Sequence, residues 1–269
     1  MKKILSLLIV LAFISFLIGC GGGEKKAEKP SEEVTEEVET MAEAGGYQAM
    51  TVTNGGTIKG TVTFAGTIPP KQKLEITKDV NVCGKMPHYK EDLVVSRNKG
   101  VANVVVSITT LNKGKSMDVL GNKFELDQNG CTFKPHVVIV PTGTDLTILN
   151  SDGILHNIHT FSEKNTPINV AQPGFKKKMT QTFNEPEVIR VACDVHNWMD
   201  SYIIVVEHPY YAVTNENGNF ELTDVPAGTY TLEYWQETLG TRTAEVTVTE
   251  GAVVEANFEF AAGTASASL

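Results

Sequence analysis

Histidine, tryptophan and cysteine are scarce in this 269-residue chain, with six, two and four copies, and each shortage narrows the chemistry. Six histidines without a single His-x-His pair leave no material for clusters of metal ions held by paired imidazoles. Two tryptophans are too few for the exposed aromatic clusters expected of a carbohydrate-binding surface. Positive charge is in deficit. The formal net charge is −9, and the residues after position 50 carry −6 of it, which argues against nucleic acid as a partner. Beyond the first twenty residues no apolar run is long enough to cross a bilayer. Sustained 3.6-residue periodicity is also missing, so a helical bundle is excluded; a turn or two of helix within 70–95 is all the pattern allows.

What is present begins with a targeting segment. Lys2 and Lys3 precede an apolar stretch, Ile4 to Ile18, closed by Leu17-Ile18-Gly19-Cys20. This is short for a membrane span and ends in small residues, as a cleaved export signal does. Its last four residues resemble a lipobox, which implies a signal peptide at 1–20 and a mature chain lipidated at Cys20. Gly21 stands where an Asp is associated with inner-membrane retention, so the resemblance implies a lipoprotein anchored in the outer membrane, facing the periplasm or the surface. Residues 21–52 open with three glycines and carry eight Glu against three Lys; with little to bury they cannot offset their ordering entropy and are expected to form a disordered acidic tether. A short disordered tail is expected at 263–269.

Between these ends the dominant pattern is alternation of period two in short runs. Ile58, Val62 and Phe64 share one strand face, as do Val104, Val106 and Ile108. Val137 to Val140 is wholly apolar. Later runs include Tyr230, Leu232 and Tyr234, then Val246 and Val248, then Val254, Ala256, Phe258 and Phe260. Turn signals such as Asn217-Gly218 and Pro226-Ala227-Gly228 separate them, and the class is all-β, with two β-sandwiches. The stretch Thr214 to Phe220 followed by Val225-Pro226-Ala227-Gly228-Thr229-Tyr230 resembles the carboxypeptidase regulatory-like module, a transthyretin-like sandwich. Gly56 to Val62 and Val101 to Val106 read like its first strands. The resemblance implies one discontinuous domain, 53–110 with 208–262, interrupted by an insert at 111–207; two sequential domains meeting near His208 are the alternative.

The insert holds the strongest chemical signal. Cys193, His196 and Met199 occur at intervals of three between two alternating runs, and His156 follows an upstream strand in Asn150-Ser151-Asp152-Gly153-Ile154-Leu155-His156-Asn157. One thiolate, two imidazoles and a thioether form a donor set suited to copper cycling between two oxidation states. At these residues, Pro135 to Val206 resembles the cupredoxins, small blue-copper proteins with a Greek-key fold and a short Cys-x2-His-x2-Met loop; the Gln172-Pro173-Gly174 turn belongs to the same pattern. Carried over by position, His156, Cys193 and His196 would hold one mononuclear type 1 copper in its equatorial plane, with Met199 as the long axial ligand. Asn157 would hydrogen-bond across to the Cys193 loop. His159 lies an odd number of strand residues from His156 and should point to the other face, at the rim of the site. Trp198, inside the loop, caps the site, mediates docking of a redox partner, or simply packs.

Cys83 and Cys131 remain. In an oxidising compartment, with Cys20 lipidated and Cys193 on the metal, a disulfide between them is expected. Cys83-x3-Pro87-His88 and Cys131-x3-Pro135-His136 keep a zinc site open as the alternative. His208 is read as structural. The resemblance implies no enzyme: four protein donors leave no position for substrate, and a lone cysteine in the ligand loop rules out a binuclear centre. The expected role is one-electron transfer to a periplasmic or surface redox protein. Copper capture or sensing by the same donors, and an adhesion or carbohydrate-binding module without metal, are the other readings.

Overall fold

A computed structural model describes residues 46–261. The export signal, Cys20, most of the tether and the tail lie outside the described residues. Among the described residues no helix is long and apolar enough to cross a membrane.

The chain builds sheets of short antiparallel and parallel strands with two main apolar cores. One core is supplied by both ends of the described chain, with Ile58, Val62, Val104, Val106 and Ile108 meeting Tyr210, Phe220, Leu232, Tyr234 and Val248. The strand Gly56–Phe64 turns Ile58, Val62 and Phe64 inward and leaves Lys59 exposed. Its Gly60 is required by space, because a Cβ there would lie 2.3 Å from the Ala256 carbonyl oxygen. Val105–Ile108 is buried on both faces. The sequence pattern marked only the face of Val106 and Ile108; Val105 belongs to a third cluster with Val137, Ile204 and Val206, where the two halves of the molecule pack together.

The middle of the chain forms a second two-sheet sandwich. One sheet has five strands in the order Asn169–Gln172, His156–Phe161, Glu187–Ala192, Asp200–Val206, Val137–Pro141. The facing sheet has four: Lys178–Thr182, Asp145–Asn150, Phe124–Gln128 and Phe133–Lys134. Leu126, Phe133, Ile148, Ile158, Ile189 and Ile203 fill the space between them together with Cys193 and Met199. Ile76, Val82 and Cys83, from the excursion between the first-core strands Gly56–Phe64 and Val105–Ile108, also pack on this core.

Among the described residues helix is confined to Val80–Cys83 and a 3-10 turn at Met117–Leu120. The second lies outside the 70–95 window; Ser116 caps it by accepting the Asp118 N–H. The run Val254 to Phe260, continuous in its alternation, is divided into Val253–Glu255 and Phe258–Phe260, both on Gly56–Phe64. The break lies where the Asn257 side chain accepts the Thr61 N–H.

Candidate metal centre

Two loops at one end of the second sandwich carry the donors. The first follows Asp145–Asn150. Asn150 is buried, and its amide donates to the carbonyls of Ile154 and Gln172 at 2.8 and 2.9 Å while its oxygen accepts the Gly153 N–H. Gly153 sits at φ 75°, in the left-handed region that glycine tolerates best. Gln172 is tied to Gln128 at 2.7 Å, and Gly174 packs so closely on this turn that a Cβ would fall 2.0 Å from the Gly153 carbonyl oxygen. These contacts fix where the chain emerges into His156–Phe161, and so where the His156 ring stands.

The second loop joins Glu187–Ala192 to Asp200–Val206. It is closed by two backbone bonds, Cys193 N–H to Met199 O at 3.1 Å and Met199 N–H to His196 O at 2.9 Å. Asn157 ties the loops together. Its backbone N–H points at the Cys193 sulfur at 3.4 Å, its side-chain oxygen accepts the Asp194 N–H at 2.6 Å, and its amide nitrogen donates to Asn169 and Asp194.

The outcome is a compact group of donors. Cys193 Sγ lies 3.9 Å from His156 Nδ1 and 3.8 Å from His196 Nδ1, and the two Nδ1 atoms are 3.0 Å apart. A point equidistant from these three atoms is about 2.1 Å from each, within the roughly 2.0–2.3 Å of transition-metal bonds to imidazole and thiolate. Both imidazoles are fully buried. Met199 is buried on the same loop and packs in the same cluster as Cys193. Cys131, Asp152 and His156 also come close together, but the Cys131 sulfur is committed to a disulfide.

The outer edges of both rings meet carboxylates. His156 Nε2 is 2.9 Å from Asp152 Oδ2, and His196 Nε2 is 2.9 Å from Asp79 Oδ2. A carboxylate can only accept, so each Nε2 carries a proton and each Nδ1 is the atom turned inward toward the other donors, as in ligating histidines generally. Burial opposes ionisation of Cys193, but His156, His196 and the Asn157 N–H outweigh it and bring the thiol down to about 6. The sulfur is therefore a thiolate near neutrality, the form that binds metal. Burial likewise opposes a charge on His156, yet Asp152 and the Cys193 sulfur raise it to about 9; metal uptake must displace that proton.

His159 stands apart from the triad, its Nδ1 3.0 Å from Asp194 Oδ1 and its ring stacked on Phe161. Trp198 donates its indole N–H to Cys131 O at 3.1 Å and lies 5.1 Å from the His196 ring. Cys83 and Cys131 form a disulfide, so the zinc alternative is overturned: His88 is bonded to Cys83 O, and His136 to Glu237. Asp79 and Asp152 escaped sequence reading. Asp152 sits four residues before His156 and offered a local signal; Asp79 is 117 residues from His196 and offered none.

Residues 202–261 match the carboxypeptidase regulatory-like domain. This regulatory-like domain begins in the strand Asp200–Val206 and takes in the C-terminal strands of the first core. No curated protein matches the chain. Its structural neighbours include a copper-containing nitrite reductase, a purple cupredoxin and amicyanin. A copper-containing nitrite reductase from Thermus scotoductus SA-01 is 22% identical over 32% of this chain and 23% of its own, with a TM-score of 0.30. A purple cupredoxin from Nitrosopumilus maritimus is 20% identical over 31% of this chain and all of its own, with a TM-score of 0.27. A point mutant of amicyanin, in its Cu(I) form, is 17% identical over 31% of this chain and 82% of its own, with a TM-score of 0.28. The chain spans under a quarter of the nitrite reductase.

Proposed function

We propose that the protein is an exported, membrane-tethered carrier of single electrons with one copper ion. The observation that carries this reading is the convergence of Cys193 Sγ with the Nδ1 atoms of His156 and His196. The three donors fit the ion. A buried thiolate with two imidazoles favours copper among the first-row metals, and copper in such surroundings exchanges one electron at a potential tuned by a weak axial donor. Met199, buried on the same loop and packed in the same cluster as Cys193, is the residue assigned as that donor. The chain's own part is to hold the donors in one arrangement through Asn157, Asp152 and Asp79 and to keep water out. Because the triad is closed to solvent, it offers no open position for a substrate, and the role is transfer rather than catalysis. The lipobox at Cys20 supports attachment to a membrane, the outer one by Gly21, with a periplasmic or surface redox protein as partner.

Purified protein loaded with Cu(II) is expected to show an intense visible absorption band from the Cys193 thiolate, lost in Cys193→Ala and bleached reversibly by a one-electron reductant. A colourless protein, or a variant that binds copper as tightly as the wild type, would show the reading to be wrong.

A further inference from the structure

The inner edge of the His196 ring faces Cys193 and His156, and its outer edge is held by Asp79. Asp79 belongs to neither sandwich sheet. It precedes the single helical turn Val80–Cys83, and its side chain is 38% exposed where that of His196 is fully buried. Two local features are unfavourable in themselves. Asp79 occupies the N-cap position, yet its side chain makes no bond to the helix, forgoing the cap that an Asp ordinarily supplies there. Its backbone is left-handed at φ 47°, a region disfavoured for residues with a Cβ though tolerated by Asp. Together they leave the carboxylate free to meet His196. The other end of the turn is pinned: Cys83 is bonded to Cys131, the Cys131 N–H donates to Asp152 at 2.9 Å, and Asp152 accepts from His156. A continuous circuit of covalent and hydrogen bonds thus runs from His196 through Asp79, the disulfide and Asp152 back to His156.

On the copper reading above, we propose that Asp79 is a positioning residue for His196. It keeps the proton on Nε2, so that Nδ1 turns its lone pair to the metal, and its negative charge makes that imidazole a stronger donor to Cu(II) than to Cu(I). Asp152 stands in the same relation to His156, but it also satisfies the N–H groups of Gly130 and Cys131. Substituting it would disturb the fold, whereas Asp79 is exposed and can be changed alone.

The test uses the full chain carrying Asp79→Ala or Asp79→Asn. Nitrogen NMR of the histidines before copper is added should show His196 protonated at Nε2 in the wild type and lose that preference in Asp79→Ala. After loading with Cu(II), Asp79→Ala should bind the ion 10–100-fold more weakly, and its reduction potential should move upward. Asp79→Asn, which keeps an acceptor without the charge, should fall between and carries the test if the alanine variant does not fold. Unchanged tautomer, affinity and potential would overturn the role of Asp79. Absence of the visible band in the wild type would instead overturn the copper reading, and the tautomer measurement would still decide on Asp79.

Discussion

Asn157 shows how much of the site hangs on one amide. Its oxygen accepts from Asp194 N–H, its nitrogen donates to Asn169 and Asp194, and its own backbone N–H points at the Cys193 sulfur. Replacing it with alanine leaves the Asp194 N–H and the Asn169 oxygen without this partner. Asn157→Ala should therefore cost about 1–3 kcal/mol, read as a lower urea midpoint with an unchanged m-value. Val195 N–H, 3.4 Å from the same oxygen, adds to the effect. Asn157→Asp, whose second oxygen would face the Asn169 oxygen and the Asp194 carboxylate where an amide N–H now donates, should not recover the loss. If alanine leaves the midpoint where it was, the loops are held together by their ends alone.

Strands and loops divide the work. The sandwich core sets the distance between the two sheets, while the donors all stand where a strand ends: His156 opens one, Cys193 follows one, and His196 and Met199 precede another. The excursion between Gly56–Phe64 and Val105–Ile108 then does what no strand does, carrying Asp79 to the outer edge of His196. Its covalent tie spans 48 residues, and a cross-link of that size stabilises by about 4 kcal/mol on the chain-entropy model. The double variant Cys83→Ser, Cys131→Ser should lose stability of that order in equilibrium unfolding. A change well under 1 kcal/mol would mean that the apolar contacts of Ile76 and Val82 alone anchor the segment.

At the scale of the whole molecule, the junction between the two sandwiches combines the Val105, Val137, Ile204 and Val206 cluster with buried histidines. Burial works against a charge on His136, but Glu237, with Glu91 and Asp200 beyond it, outweighs that and raises the imidazole above its ordinary value. His208 has the opposite environment. Buried among the rings of Tyr47, Tyr210 and Tyr211, it is pushed down to about 4. The unfolded chain takes up a proton at His208 near pH 6.5 while the folded one resists until about pH 4, so its burial removes stability as pH falls through that window. His208→Gln should therefore gain on the wild type by up to about 3 kcal/mol between pH 6.5 and 4, the difference being constant above and below. Parallel stability–pH curves for the two proteins would exclude this.

Much of this architecture was already legible as periodicity. The alternation of Ile58, Val62 and Phe64, and of the runs through Tyr234 and Val248, reports burial of one strand face, a local property that a sequence carries openly. The spacing of Cys193, His196 and Met199, with His156 upstream, was legible for a similar reason: each donor sits beside a strand whose pattern locates it. What the pattern could not contain are relations across long stretches of chain, such as Asp79 against His196, both faces of Val105–Ile108 buried, or His136 seated against Glu237. Side-chain periodicity records which way a residue faces. Only the packed chain decides what it faces, because that depends on loop paths and close contacts that no short window of residues encodes.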